Sequence, residues 1–421
     1  MQGFDDLDRQ AVTALRVLAV DQVEQARSGH PGMPLGAAPM AYALWSRFLR
    51  HDPADPAWPD RDRFVLSAGH ASALYYALLH LFGYDLPLDE LRRFRQWGSL
   101  TPGHPEHGLT PGVEMTSGPL GQGLGAAVGL ALAERHLAAR FNRPGIELFD
   151  HRTWVLASDG DLMEGISHEA ASLAGHLRLG RLTVLYDDNR ITIDGPTSLS
   201  CSDDAGARFA AYGWRVLHVE DGNDLDAIAA ALAEAAALDD RPTLIRVRTT
   251  IGFGSPARQG TAAAHGAPLG PAEAAATRAA LGWTGTQPFE VPAAIAARFR
   301  AAAHSGAEAH ADWLERFAAY RKAHPDAAAE LERRLAGELP PEVATPVDFA
   351  GVSSLATREA SGRVLTALVP VVPELVGGAA DLAGSNSTAI KGESSISAGA
   401  WGGRVVNFGV REHAMAAACN G

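Results

Sequence analysis

Cysteine is nearly absent. Cys201 and Cys419 are the two in 421 residues, too few for a disulfide framework and in keeping with a reducing compartment. Runs of Lys and Arg are missing as well. With 36 basic against 49 acidic residues the formal net charge is −13. That balance speaks against a general nucleic-acid or anionic-membrane surface, so an anionic ligand would need a local pocket. No apolar run reaches membrane-spanning length, and the stretch Ala126 to Ala133 breaks off long before it. The acidic opening Met-Gln-Gly-Phe-Asp-Asp-Leu-Asp lacks the apolar core of a signal peptide. Together these absences predict a soluble cytoplasmic protein with neither nucleic acid nor membrane as partner. Apolar residues make up 47% and charged residues 20%, which excludes a disordered or fibrous chain. The length suggests two or three domains.

Short apolar, β-branched runs are present in series: Arg63–Ser67, Thr153–Ala157, Leu182–Tyr186, Arg215–Val219 and Thr243–Val247. Helical patterns fall between most of them, at Ala71–Phe82, Gly165–His176 and Leu225–Leu238. The alternation predicts an α/β fold, a mostly parallel sheet flanked by helices on both faces. Ligands then belong beyond the carboxyl ends of the strands. Residues 271–342 are rich in Ala, Glu, Arg and Pro and read as surface helices and a connector. A second α/β segment begins near Ser353, with a helix over 358–368 and strands at 375–379 and 405–409. The expected organisation is a first domain over 1–325, a linker over 326–352 and an incomplete second domain over 353–421.

Two segments concentrate chemistry. Asp159-Gly160 leaves one expected strand and Asp188-Asn189 leaves another, with 27 residues (161 to 187) between them. A carboxylate and a carboxamide from neighbouring strand ends suit a hard cation with oxygen ligands, Mg²⁺ or Ca²⁺. Gly160 permits close approach of an anion, and the following helix can offer free N–H groups. Either segment alone is also an ordinary strand-to-helix turn. Taken with Ser28-Gly-His-Pro-Gly32, Gly103-His-Pro-Glu106, Thr116-Ser-Gly-Pro-Leu-Gly-Gln-Gly123, His265-Gly-Ala-Pro-Leu-Gly270, Gly384-Ser-Asn-Ser-Thr388 and Gly409-Val-Arg-Glu-His-Ala-Met415, the pattern resembles the transketolase family. The motifs occur in family order over nearly the whole chain.

The resemblance implies a thiamine diphosphate-binding fold and a diphosphate-binding first domain followed by the start of a pyrimidine-binding domain. The implied activity is reversible transfer of a two-carbon ketol unit from a ketose phosphate to an aldose phosphate, through a thiamine diphosphate carbanion. By the same resemblance Asp159, Asn189 and the carbonyl of Ile191 hold Mg²⁺, with Ca²⁺ or Mn²⁺ able to substitute. His70, Gly118, Leu120, Gly160, Asn189, His265 and Glu412 contact the cofactor. His30, His104 and His265 face the substrate and take part in catalysis, and Arg358, Ser385 and Asp381 hold the sugar phosphate. Glu412 has the central role, a hydrogen bond to N1′ of the aminopyrimidine. It is implied to serve the cofactor of a partner chain, so a homodimer with its sites at the interface is expected.

The family's first motif usually reads Gly-Asp-Gly, and Ser158 replaces the leading glycine here. Ala68-Gly-His-Ala71 stands where Asn-Gly-His-Gly is common. Neither change removes an expected ligand. The sequence also stops shortly after Glu412, so this chain alone is expected to be inactive. A dihydroxyacetone synthase-like ketol transfer and an inactive cofactor-binding half-enzyme are the alternatives. A 1-deoxyxylulose-5-phosphate synthase is disfavoured by His30, His104 and His265 together.

Overall fold

The protein is described from a computed structural model covering residues 3–344, 347–389 and 392–421. Five parallel strands form the central sheet: β1 (Arg63–Leu66), β2 (Thr153–Ser158), β3 (Leu182–Asp188), β4 (Arg215–Val219) and β5 (Thr243–Arg248), in the order β1-β2-β3-β5-β4. The register pairs Val65 with Val155, Val155 with Val184, and Val184 with Leu244. Alternate side chains therefore serve opposite faces. Phe64, Leu66, Trp154, Leu156, Leu185, Ile245 and Val247 pack on one side, against helices Asp6–Ala26, Gly32–Arg47, Ser72–Phe82 and Leu225–Ala237. Val65, Val155, Ala157, Val184, Tyr186 and Leu244 pack on the other, against helices Gln122–Phe141 and Gly165–Leu177. Burial on both faces explains why the strands read as continuous apolar runs.

Local chemistry sets the helix ends. Asp5 and Asp8 exchange side-chain and backbone hydrogen bonds at 3.0 and 2.9 Å, a capping box that starts helix Asp6–Ala26. Gly83, at φ 110°, ends helix Ser72–Phe82 in the left-handed region. Three strands run slightly past their expected ends: the buried polar pair Asp187 and Asp188 continues β3, Ser158 continues β2 and Arg248 continues β5.

The stretch 271–342 corrects the expectation. It holds helices Pro271–Ala280, Ala293–Ala323 and Pro325–Leu335, and these are not merely surface cover. Ile295 and Phe299 enter the first core, while Trp313, Phe317, Tyr320, Ala328 and Leu331 form another with Trp58, Phe141 and Phe149. The expected linker over 326–352 is thus helical and anchored in its first third. Pro325 does not break the chain there but takes the first helical turn, where its missing N–H costs nothing. Thr345 and Pro346 of that linker lie outside the described residues.

The last segment contains helix Thr357–Leu368, a parallel pair β6 (Gly377–Ala379) and β7 (Val405–Asn407), and helix Glu412–Asn420. Both strands are shorter than expected, and Gly409, at φ 64°, turns the chain out of β7's direction. Ile396, Val406, Phe408, Ala414 and Ala418 join the core around helix Gln122–Phe141. Among the described residues no helix is long and apolar enough to cross a membrane.

Candidate cofactor and substrate site

The loops leaving β1, β2, β3 and β5 converge at one end of the sheet, as the parallel-strand rule requires. After β1 the chain delivers His70 in a single 3-10 turn, Gly69–Ala71. Gly69 is needed at this point, because a Cβ there would lie 2.7 Å from the backbone nitrogen of Gly118. After β2 come Asp159 and Gly160, after β3 Asn189 and Ile191, and after β5 the loop that carries Ile251 and His265. These residues, with His30, Met33, Gly118, Leu120, Thr192 and Ile193, line a cavity of about 300 Å³.

Four histidines meet here. Ring centroids of His30 and His70 are 5.3 Å apart, His30 and His265 5.8 Å, His70 and His265 5.3 Å, and His30 and His104 6.5 Å. Burial is the main cause that disfavours their charged forms. It lowers His30 to about 4, with help from Arg95, His265 and His104, and holds His70 well below its ordinary value. His104 and His265 are lowered too, chiefly by burial. The cluster is therefore neutral near pH 7, able to donate or accept hydrogen bonds without repelling a cation. His265 Nδ1 is buried with no hydrogen-bond partner, an orphan that invites a ligand. His104 stands at the edge of this group and faces instead a broader cleft of about 750 Å³ with Ser28, Arg95 and Trp97.

The acidic side of the cavity is held in place by its neighbours. Asp159 Oδ1 accepts the Tyr186 hydroxyl at 2.6 Å, and Oδ2 accepts the backbone N–H groups of Asn189 and Arg190 at 3.1 and 2.9 Å. Burial nonetheless pushes Asp159 up to about 6. Asn189 donates Nδ2 to Asp187 at 2.8 Å, and its Oδ1 accepts the Ile191 N–H at 2.9 Å. The bonds Thr192 N–H to Gly195 O and Thr197 N–H to Arg190 O flank Ile191, leaving its own carbonyl outside that small ladder. A carboxylate, a carboxamide and a carbonyl thus present oxygen alone, which suits a hard cation. Gly160 faces open space: a Cβ there would meet only Leu120 Cδ1, at 3.5 Å. That leaves room for a diphosphate beside the donor set, with Leu120, Met33 and Ile251 as an apolar wall. These residues fit a metal-diphosphate group with an attached ring.

The segment Gly118–Gly123 reaches the site by close packing. Gly118 adopts φ 149°, and a Cβ on it would lie 3.2 Å from the His104 ring. Gly121 takes φ 78° and gives its N–H to Asp161 at 2.6 Å. A Cβ on Gly123 would fall 2.5 Å from Ser67 Cα. No motif singles out Asp161, Asp187, Thr249, Tyr186 and Arg95, which support these groups; four of the five are buried polar side chains whose partners lie far along the chain. Ser158, in place of the expected glycine, completes β2 opposite Asp187.

Arg358, Asp381, Ser385 and Glu412 are not drawn into this cavity by their own chain. All four are exposed. Glu412 opens helix Glu412–Asn420, whose Ala414 N–H bonds Glu169 at 2.9 Å. Asp381 stands in the left-handed region at φ 61°. Other histidines serve packing away from the cavity: His51 stacks on Tyr84, His151 contacts Asp60, and His310 stacks on Trp58.

The family described as "Transketolase, thiamine diphosphate binding domain" matches residues 7–340, and "Transketolase, pyrimidine binding domain" matches residues 353–421. The transketolase of Geobacillus stearothermophilus is 57% identical over 418 residues, 99% of this chain and 62% of that protein. That of Bacillus subtilis is 52% identical over 421 residues, 99% of this chain and 63% of that protein. A Pichia stipitis transketolase solved with sedoheptulose 7-phosphate gives a TM-score of 0.95 at 46% identity, covering 99% of this chain and 62% of that one. A Campylobacter jejuni transketolase gives 0.90 at 39%, covering 99% and 63%. This sequence therefore spans about 62% of the length of the first of these relatives.

Proposed function

This chain belongs to the transketolase family, and from that premise we propose that it supplies the thiamine diphosphate site, and part of the pyrimidine site, of an enzyme that moves a two-carbon ketol unit from a ketose phosphate to an aldose phosphate in the cytoplasmic non-oxidative pentose phosphate pathway. One observation carries the reading: three neutral histidines, His30, His70 and His265, share a single cavity with Asp159, Gly160, Asn189, Ile191 and Leu120, and the ring of His104 lies 6.5 Å from that of His30. A second unit at 353–421 follows a first that extends through helix Pro325–Leu335.

Asp159, Asn189 and the Ile191 carbonyl would hold Mg²⁺, with Ca²⁺ or Mn²⁺ as substitutes. Gly160 and His70 would border the diphosphate, and Gly118 and Leu120 the rings. Bound thiamine diphosphate supplies the nucleophilic carbon and the electron sink that C–C cleavage needs. The chain's own residues do the rest. His265, with its unpartnered Nδ1, would bind close to the reacting carbon, and His30 and His104 would orient the sugar hydroxyls and exclude water. Arg358, Ser385 and Asp381 would hold the far end of the sugar phosphate. Glu412 would hold a proton at the aminopyrimidine. Because these last four are exposed, we assign them to the site of a second copy, making a homodimer.

The test is ketol transfer by the protein carrying this sequence, with thiamine diphosphate and Mg²⁺, from xylulose 5-phosphate to ribose 5-phosphate. Transfer that depends on both additions and is lost in Glu412→Ala is the expected result. Transfer to formaldehyde in preference to the aldose phosphate would reassign the acceptor. Failure to bind thiamine diphosphate in a calorimetric titration would overturn the site itself.

A further inference from the structure

Arg95 is a half-buried cation, and among the described residues no carboxylate forms an ion pair with it. Its backbone sits in the left-handed region at φ 61°, where a non-glycine residue is strained. The bond from its N–H to Thr101 O at 2.9 Å closes that turn. The side chain then has fixed partners. Nη1 donates to Ser28 Oγ at 2.8 Å, and Nη2 lies 3.4 Å from His30 Nδ1. Nε is buried without a partner on the side of Gly103, where a Cβ would come within 3.2 Å.

A guanidinium has donors and no acceptor, and it does not lose its proton in a protein. The histidine nitrogen it faces must therefore present a lone pair. That leaves the single ring proton of neutral His30 on Nε2. This nitrogen lies toward Gly266, where a Cβ would approach within 3.2 Å, next to His265 in the cavity.

We propose that Arg95 is a positioning residue that locks His30 in its Nε2–H tautomer, so that His30 donates a hydrogen bond to a sugar oxygen and does not act as a base. Among the described residues the groups facing His30 are Arg95, His70, His104 and His265, with no carboxylate in contact with its ring. Burial first, and then the Arg95 cation, keep the ring neutral. The role toward a sugar rests on the proposed ketol transfer, whereas the tautomer does not.

The experiment is ¹⁵N spectroscopy of the full chain labelled at histidine, with His30 assigned from the signal lost in His30→Gln. In the parent, Nδ1 should be unprotonated and Nε2 protonated between about pH 5 and pH 8. Arg95→Met should introduce the Nδ1–H form and bring His30 into titration within that range. Arg95→Lys keeps a cationic donor and should restore the parent pattern, which separates this effect from general damage to the fold. In the kinetic arm, Arg95→Met should lower kcat/KM for the ketose roughly 10-fold with thiamine diphosphate affinity unchanged. A parent His30 protonated on Nδ1, or a tautomer indifferent to Arg95→Met, would overturn the inference even in an active enzyme. A parent with the expected tautomer, a tautomer change in Arg95→Met and no transfer would overturn the proposed reaction, and Arg95 would still be shown to set His30.

Discussion

Asp187 shows how much of the site depends on a residue that never reaches the cavity. It is fully buried at the end of β3, and burial raises its carboxyl to about 7. Two donors offset that cost, the Thr249 hydroxyl and Asn189 Nδ2. Because the Asn189 nitrogen is committed to Asp187, its oxygen is the atom left for a cation, so Asp187 fixes which way the carboxamide points. Outer partners of this kind typically change metal affinity 10- to 100-fold. Asp187→Asn should therefore weaken Mg²⁺ binding about 10-fold in a titration with thiamine diphosphate present. An unchanged Mg²⁺ affinity would show that Asn189 is oriented by Ile191 alone. Glu134 offers a second test, away from the site. It is 1% exposed, and neither carboxylate oxygen has a hydrogen bond, although Arg135 and Arg181 stand 3.5 and 3.8 Å away. Burial raises it from 4.5 to about 7. The folded state thus holds this proton more tightly than the unfolded state, and the contribution is complete below pH 4.5 and lost as pH rises to about 7. Glu134→Gln should flatten that part of the stability–pH curve and gain up to about 3 kcal/mol near pH 8, at 1.36 kcal/mol per unit. Denaturant unfolding at several pH values reads it directly, and parallel curves for the two proteins would refute it.

Helix Gln122–Phe141 is the element on which both parts of the chain lean. Its Gly125 and Gly129, one turn apart, form the floor for helix Glu412–Asn420. A Cβ at Gly125 would lie 2.5 Å from Ala417 Cβ, and one at Gly129 only 2.0 Å from the Ala418 carbonyl. Backbone cannot yield at such distances, so Gly129→Leu should lift the terminal helix away. Hydrogen exchange would then rise over 412–420 while β2 and β3 stay protected, because Val155 and Val184 lie in the sheet and not at that contact. Equal exchange increases in both places would mean that the two parts unfold as one unit. The same helix shows what the sequence could and could not convey. Gly125 and Gly129 carry no apolar side chain to mark a helical face, and their use in close packing is visible only once the partner is placed. Helix Gly32–Arg47 was hidden for a similar reason. It contains Pro34, Gly36 and Pro39, and a Cβ on Gly36 would meet the Thr250 carbonyl at 2.9 Å. The strands, by contrast, were legible, since burial on both faces writes itself as an apolar run. In the site, residues carried by local motifs such as Asp159-Gly160 and Gly103-His104 could be found. Arg95 could not, because its meaning comes from a backbone turn at positive φ that aims it at a histidine 65 positions away.

At the scale of the whole molecule the open question is where Arg358, Asp381, Ser385 and Glu412 act. Helix Thr357–Leu368 buries none of its residues, and Leu382 and Val410 are exposed at 49% and 73%. Apolar side chains left bare beside expected substrate groups suit a face covered by another copy. In that arrangement each site takes its histidines from one chain and its glutamate from the other, which makes a genetic test possible. Glu412→Ala and His265→Ala should each abolish ketol transfer when expressed alone. Co-expressed in equal amounts, random pairing makes about half the dimers mixed. Each mixed dimer has one site with both residues intact and one with neither, so about a quarter of all sites regain activity. A site built within a single chain would give none, since every chain in the mixture lacks one of the two groups. Recovery near a quarter, measured per site on purified mixed protein, therefore distinguishes a shared site from a private one.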